Sequence, residues 1–156
     1  MDQLIAYLYA LAVAILVGKV VFLSFVVAPI LAKSLEREQF GLVVRRLFPA
    51  YYALGMGAAI LGLVSVGSLA MIRGMSPSPL VEGGIWLIIL AAEAYCRSRL
   101  TPQSNEMRDR IKEQESRGAV DPALQTAWNR LHQRSVYLNS MVLFGGLCLI
   151  WFGQRL

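Results

Sequence analysis

Two ionisable residues of opposite sign stand inside long apolar runs. Lys19 is the one charge between Leu4 and Leu31, and Glu93 is flanked by Leu90-Ala91-Ala92 and Ala94. An ionisable group at bilayer depth costs roughly 2.5 to 3.5 kcal/mol on insertion scales, and it normally faces a bundle interior or a cavity. Counted at about 1.5 Å per residue along oppositely directed helices, both fall near mid-membrane, slightly toward the same side, so they are expected to meet. Such a pair can act as a proton or ion relay or as the counter-ion of a ligand, and it can equally be a buried pair that only holds helices. Lys19 can also snorkel, and Glu93 can pair with Arg97 one turn on. The structural readings are favoured, because neither residue belongs to a larger charged constellation.

The single histidine supplies the second candidate site. Trp128, His132, Ser135 and Asn139 recur at i, i+4, i+7 and i+11, a polar stripe on one helix face. By depth, Tyr51 and Tyr52 are the partners expected for it. The stripe can hold a haem edge, a metal or an anionic headgroup, or it can bond helices together as polar residues commonly do in membranes. One histidine cannot provide both axial ligands of a haem within one chain, and a metal site needs several convergent ligands. Helix bonding is therefore favoured, with no metal or cofactor expected and haem as the alternative.

Other chemistry is not supported. Cys96 and Cys148 fall near opposite ends of their spans, too far apart for a disulfide, which needs Cα atoms within about 7 Å. The six methionines are scattered without a Met-x-x-Met repeat, as packing residues are. The chain lacks G-x-S-x-G, H-E-x-x-H, G-x-x-x-x-G-K and C-x-x-C. A non-catalytic protein is expected.

These residues must be positioned by elements that lie in lipid. Of 156 residues, 56% are hydrophobic and 16% charged, and the mean hydropathy is +0.54, which points to a membrane protein. Four apolar segments are long enough to cross as helices, at about 4–31, 48–72, 81–97 and 136–153. The second carries no charge over 25 residues, and it places Gly55, Ala58, Ala59 and Gly62 at the small-residue spacing that lets another helix approach. Arg73-Gly-Met-Ser-Pro-Ser-Pro-Leu80 has turn chemistry. Thr101-Pro102 is either a helix start or a proline kink in a continuing helix, Arg117-Gly118 is a stop, and Asp121-Pro122 starts a helix that runs on into the last span.

The net charge of +5 and the pI of about 9.6 have a topological explanation rather than a nucleic-acid one, since no basic and aromatic binding motif is present. Residues 32–47 and 97–135 together carry twelve Lys and Arg, against Arg73 and Arg155 on the other side. The positive-inside rule then puts both connections in the cytoplasm and both termini outside. Residues 98–135 would form a cytoplasmic helical hairpin. Met1-Asp2-Gln3 lacks the basic cluster of a signal peptide, so the first span is expected to be retained. The absence of a transit peptide favours a bacterial inner membrane.

Three segments carry a family resemblance. They are Phe25-Val-Val-Ala28-Pro29-Ile-Leu with Leu35, then Leu47-Phe48-Pro49-Ala-Tyr51-Tyr52, then Leu131-His132-Gln-Arg-Ser135-Val-Tyr-Leu-Asn139. The chain resembles the transmembrane protein 205-like family, also known as domain of unknown function 4149. Its members are similar in an Ala-Pro closing span one, a Phe-Pro-x-Tyr opening span two and a His-x-x-Ser-x-x-x-Asn opening span four. The resemblance implies a small four-span architecture and no particular reaction. Lys19 and Glu93 lie outside its pattern. A looser likeness of layout to the four-span haem and copper membrane proteins of the copper-resistance D and membrane protoporphyrinogen oxidase kind is one of fold alone.

The expected fold is thus an all-α four-helix membrane bundle with a helical extension between helices three and four. The expected function is that of a packing or accessory subunit of a larger membrane complex, or of a small homo-oligomer. The alternatives are a haem- or ligand-binding redox protein and a transporter of an ion or small solute.

Overall fold

A computed structural model describes residues 2–74 and 77–153, and the described chain is all helix apart from short turns. Four helices account for nearly all of it: α1 (Asp2–Ser34), α2 (Arg37–Arg73), α3 (Pro77–Ser116) and α4 (Pro122–Gly153). Each is long and apolar enough to cross a membrane. At about 1.5 Å per residue the 37 residues of α2 are longer than a hydrocarbon core of about 30 Å requires.

The helices are longer than the apolar runs suggest. The connection expected over 32–47 is mostly helix, broken only where Leu35 turns extended and Glu36 caps α2 through a reciprocal pair with Gln39. Pro49 lies inside α2 without ending it. α3 begins at Pro77, before the expected Val81, and runs through Pro102 to Ser116, so the continuing-helix reading of Thr101-Pro102 is the one that holds. The helix accommodates that proline by widening: residues Cys96–Leu100 form a π turn in which the Thr101 N–H reaches the Cys96 carbonyl. α1 does the same ahead of Pro29, with a π turn at Leu23–Val27. A proline offers no N–H and crowds the carbonyl four residues back, and a π turn relieves both. Gly118 ends α3 at φ 97°, a conformation glycine adopts without cost. The Asp121 side chain accepts a bond from the Ala123 N–H at the head of α4. Met75 and Ser76 of the α2–α3 turn, and Arg155, lie outside the described residues.

The four helices form a ring in which α1 packs on α2 and α4, and α3 packs on α2 and α4, while the diagonal pairs α1/α3 and α2/α4 make no backbone contact. Two glycines on the inner face of α2 let large groups reach the axis. A Cβ at Gly62 would lie 2.3 Å from the Trp86 ring, and one at Gly55 would lie 2.4 Å from the Glu93 carboxyl. Around Trp86 the core is closed by Leu16, Ile89 and Leu149, all nearly inaccessible, with Tyr9 edge-on to the indole at 6.1 Å. Outside the apolar zone, three ion pairs between α2 and α3 brace the extensions: Arg37–Glu115, Lys112–Glu38 and Arg45–Asp109.

Close packing at Gly62 yields a direct test. Gly62→Ala should lower stability in detergent by about 1 to 3 kcal/mol, because the indole must shift in a filled core. Gly67→Ala, at a helical glycine with open space around it, should be neutral or stabilising by up to about 1 kcal/mol. Thermal unfolding followed by circular dichroism compares the two. Equal losses would rule out the steric explanation.

Candidate functional site

The bundle axis carries charge at one level. Lys19 of α1 donates from Nζ to Glu93 Oε1 of α3 at 2.6 Å, and the side chains are 4% and 1% exposed. The bond spans a diagonal of the ring, between helices whose backbones do not touch. It can do so because Gly55 of α2 leaves the space beneath both groups empty of side chain. The ammonium also lies 3.8 Å from the centre of the Tyr51 ring, a favourable place for a desolvated cation. Glu93 Oε2 has no hydrogen-bond partner among the described residues.

The other diagonal is bridged at the same level. Tyr51 of α2 donates its hydroxyl to Asn139 Oδ1 of α4 at 2.8 Å, Asn139 Nδ2 lies 3.4 Å from the Tyr52 hydroxyl, and Tyr52 and Ser135 hydroxyls are 3.5 Å apart. The two polar bars therefore touch where Lys19 rests on Tyr51. Phe48 stacks on Tyr52 at 5.6 Å and fixes that ring.

Of the residues expected to share a site, the structure brings Tyr51, Tyr52, Ser135 and Asn139 into one network and Lys19 and Glu93 into one bond. His132 and Trp128 stay out of that network. His132 is exposed and makes no hydrogen bond among the described residues, and Trp128 meets the Arg108 guanidinium, 5.2 Å from its ring. Cys96 is buried and Cys148 half-buried, and both thiols are free.

One buried carboxylate lies beyond the sequence expectation. Glu82 is 1% exposed; it accepts a bond from Ser78 at 2.9 Å. Its second oxygen is unpartnered among the described residues, as is the Trp86 indole N–H. The signal is present in the spacing: Glu82, Trp86, Ile89 and Glu93 fall at i, i+4, i+7 and i+11 on one face of α3. A position near the end of an apolar run obscures it, since charges there usually reach water.

Beside the two bars lies a cavity of about 700 Å³. The polar wall comes from α4 (Trp128, His132, Ser135, Asn139) and from the α3 face of Thr101, Ser104, Asn105 and Arg108. The lining from the end of α1 and the start of α2 is apolar apart from Ser24 and Tyr52. Both π turns border it, through Leu23 to Phe25 on α1 and Leu100 on α3. Phe25 and Val136 of its lining are 69% and 53% exposed. Among the described residues no Cys or Met lines it, and His132 is its one imidazole. Among the described residues, no three His, Cys, Asp or Glu side chains converge as a metal site would require.

A buried pair is strongly coupled when removing either partner strands the other. Lys19→Met and Glu93→Gln should each cost about 3 to 5 kcal/mol, and the double variant should recover most of the loss. Unfolding of all four proteins in one detergent provides the cycle. Additive losses would mean that the two side chains do not share their energy in the folded state.

Comparison with known proteins adds little about chemistry. An uncharacterized protein of Aquifex aeolicus (strain VF5) is 57% identical over 35 residues, which is 22% of this chain and 26% of that protein. The match thus spans about a quarter of the length of that curated relative. No solved structure matches the chain. The family described as Domain of unknown function (DUF4149) matches residues 11–113, a stretch that holds Lys19, both central tyrosines, Glu93 and Arg108, and the chain belongs to that family.

Proposed function

We propose that this protein is a non-catalytic membrane protein that takes an apolar or amphiphilic molecule from the bilayer into the cavity beside its polar bars. It acts as an accessory component of a larger membrane complex or as a small homo-oligomer. The observation that carries this reading is the cavity itself, with one largely apolar wall, one polar wall and exposed Phe25 and Val136 in its lining. Its volume is within the range of pockets that hold a single small ligand, roughly 300 to 1,000 Å³. The Lys19–Glu93 pair serves structure, since each charge already neutralises the other and both are sealed from water.

The finer family likeness, to transmembrane protein 205-like members, rests on the Ala28-Pro29, Phe48-Pro49-Ala-Tyr51 and His132 to Asn139 segments. The basic count supports an orientation with the α3–α4 hairpin in the cytoplasm and both termini outside, in a bacterial inner membrane. Under that orientation the cavity lies in the cytoplasmic half of the bundle.

Two experiments test ligand and orientation. Protein purified from native membranes in mild detergent should yield, on organic extraction and mass spectrometry, a small molecule at about one per chain. Ala28→Trp, which puts an indole into the cavity, should lose it. Equal extracts from both proteins would overturn the ligand reading. A Soret band that vanishes in His132→Ala would replace it with a haem-binding one. For orientation, Ala119→Cys in a chain with Cys96 and Cys148 replaced by Ala should react with an impermeant maleimide only after cells are broken. Labelling of intact cells would reverse the topology.

A further inference from the structure

We propose that the occupant of the cavity is an anionic single-chain amphiphile whose headgroup is held by Arg108. The proposal rests on the ligand-binding reading above and names the class of ligand.

Arg108 is the one Lys or Arg in the lining of the cavity, and the distribution of charge on the extensions leaves it without an acid. Glu38, Asp109 and Glu115 are paired with Lys112, Arg45 and Arg37 across the helices, and Glu106 and Glu113 with Arg110 and Arg117 one turn along. Glu36 and Asp121 serve as caps. Each acid there is committed, and Arg108 forms no ion pair among the described residues. Its guanidinium is half-buried, donates to the Gly41 carbonyl at 3.1 Å and lies 5.2 Å from the Trp128 ring centre. Those contacts leave further N–H donors and a full positive charge at the cavity wall. Ser104 and Asn105, on the same face of α3, add donors whose side chains make no hydrogen bond among the described residues. A guanidinium flanked by an amide and a hydroxyl suits an oxyanion such as a carboxylate or phosphate.

Depth agrees with an amphiphile. Arg108 is 15 residues beyond Glu93 along α3, or about 22 Å. With Glu93 near mid-membrane and a half-thickness of about 15 Å, Arg108 lies at headgroup level. From there the cavity runs inward past Phe40, Val44 and Leu47 toward Leu143. A headgroup at the interface and a chain pointing to mid-membrane is the orientation a lipid already has. A volume of about 700 Å³ accommodates one chain.

The probe is dansylaminoundecanoate, whose fluorescence rises in an apolar site, compared with its neutral methyl ester on the purified full chain in detergent. The acid should bind more tightly than the ester. Arg108→Gln should weaken the acid by roughly tenfold to a hundredfold and the ester far less, and Arg108→Lys should fall between. Ala28→Trp should abolish both. Because Arg108 also braces Gly41, thermal unfolding of each variant is measured alongside. If Arg108→Gln unfolds, added salt on the unaltered protein serves instead, and it should weaken the acid and not the ester. Equal binding of acid and ester, with no effect of Arg108→Gln or of salt, overturns the anionic assignment while the cavity reading stands. Failure of both probes on the unaltered protein sinks the cavity reading as well.

Discussion

A bond between Lys19 and Glu93 across the bundle diagonal is the constraint on which the arrangement of this protein depends. In lipid no hydrophobic force gathers helices, since acyl chains are as apolar as leucine. A lysine and a glutamate buried alone would each be costly. Together they set how α1 and α3 lie along one another, because a slip of one turn, about 5.4 Å, would part them and leave two uncompensated charges. The pair adds specificity more than raw stability, as buried ion pairs in general do little better than well-packed apolar residues. Gly55 is what makes the arrangement possible: α2 yields its side-chain volume to a bond that belongs to its two neighbours.

The second bar, from Tyr51 to Asn139, joins α2 and α4 in the same layer, so each diagonal of the ring is bridged by polar groups. This layer has a counterpart farther along the axis. There Gly62 admits Trp86, and the filling is indole and aliphatic instead of charged. The two prolines work differently from the glycines. Pro29 and Pro102 each follow a π turn, and a widened turn shifts the facing of the side chains beyond it. Both turns border the cavity, so the two widened stretches of helix face the same opening.

Much of this architecture is legible from residue type and spacing, and the exceptions have physical reasons. Four apolar runs identify four helices because a backbone in lipid must satisfy its own hydrogen bonds. The approach of Lys19 to Glu93 follows from depth and cost, and the contact of Tyr51 and Tyr52 with Ser135 and Asn139 from depth alone. Helical phase groups His132 with them, yet phase fixes direction and not distance, and at that turn the cavity lies between α4 and its neighbours. The helical character of residues 37–47 is obscured by their charge, which reports solvent and not backbone conformation, whereas Thr101-Pro102 and Arg117-Gly118 mark that of 98–116. Arg108 carries no signal by itself. Its distinction is that it lines the cavity while every nearby acid is engaged elsewhere, a property of the folded arrangement that no local pattern encodes.

The contact between Lys19 and Tyr51 bears on how the chain is made. Synthesis delivers α1 and α2 to the membrane before α3 exists, so for a time the ammonium of Lys19 has no carboxylate to meet. The aromatic face of Tyr51, 3.8 Å away in the finished fold, belongs to the helix that arrives next. A hairpin of α1 and α2 can therefore shelter the charge against a ring until translation supplies Glu93, and the last helix then closes the site by bonding the same tyrosine through Asn139.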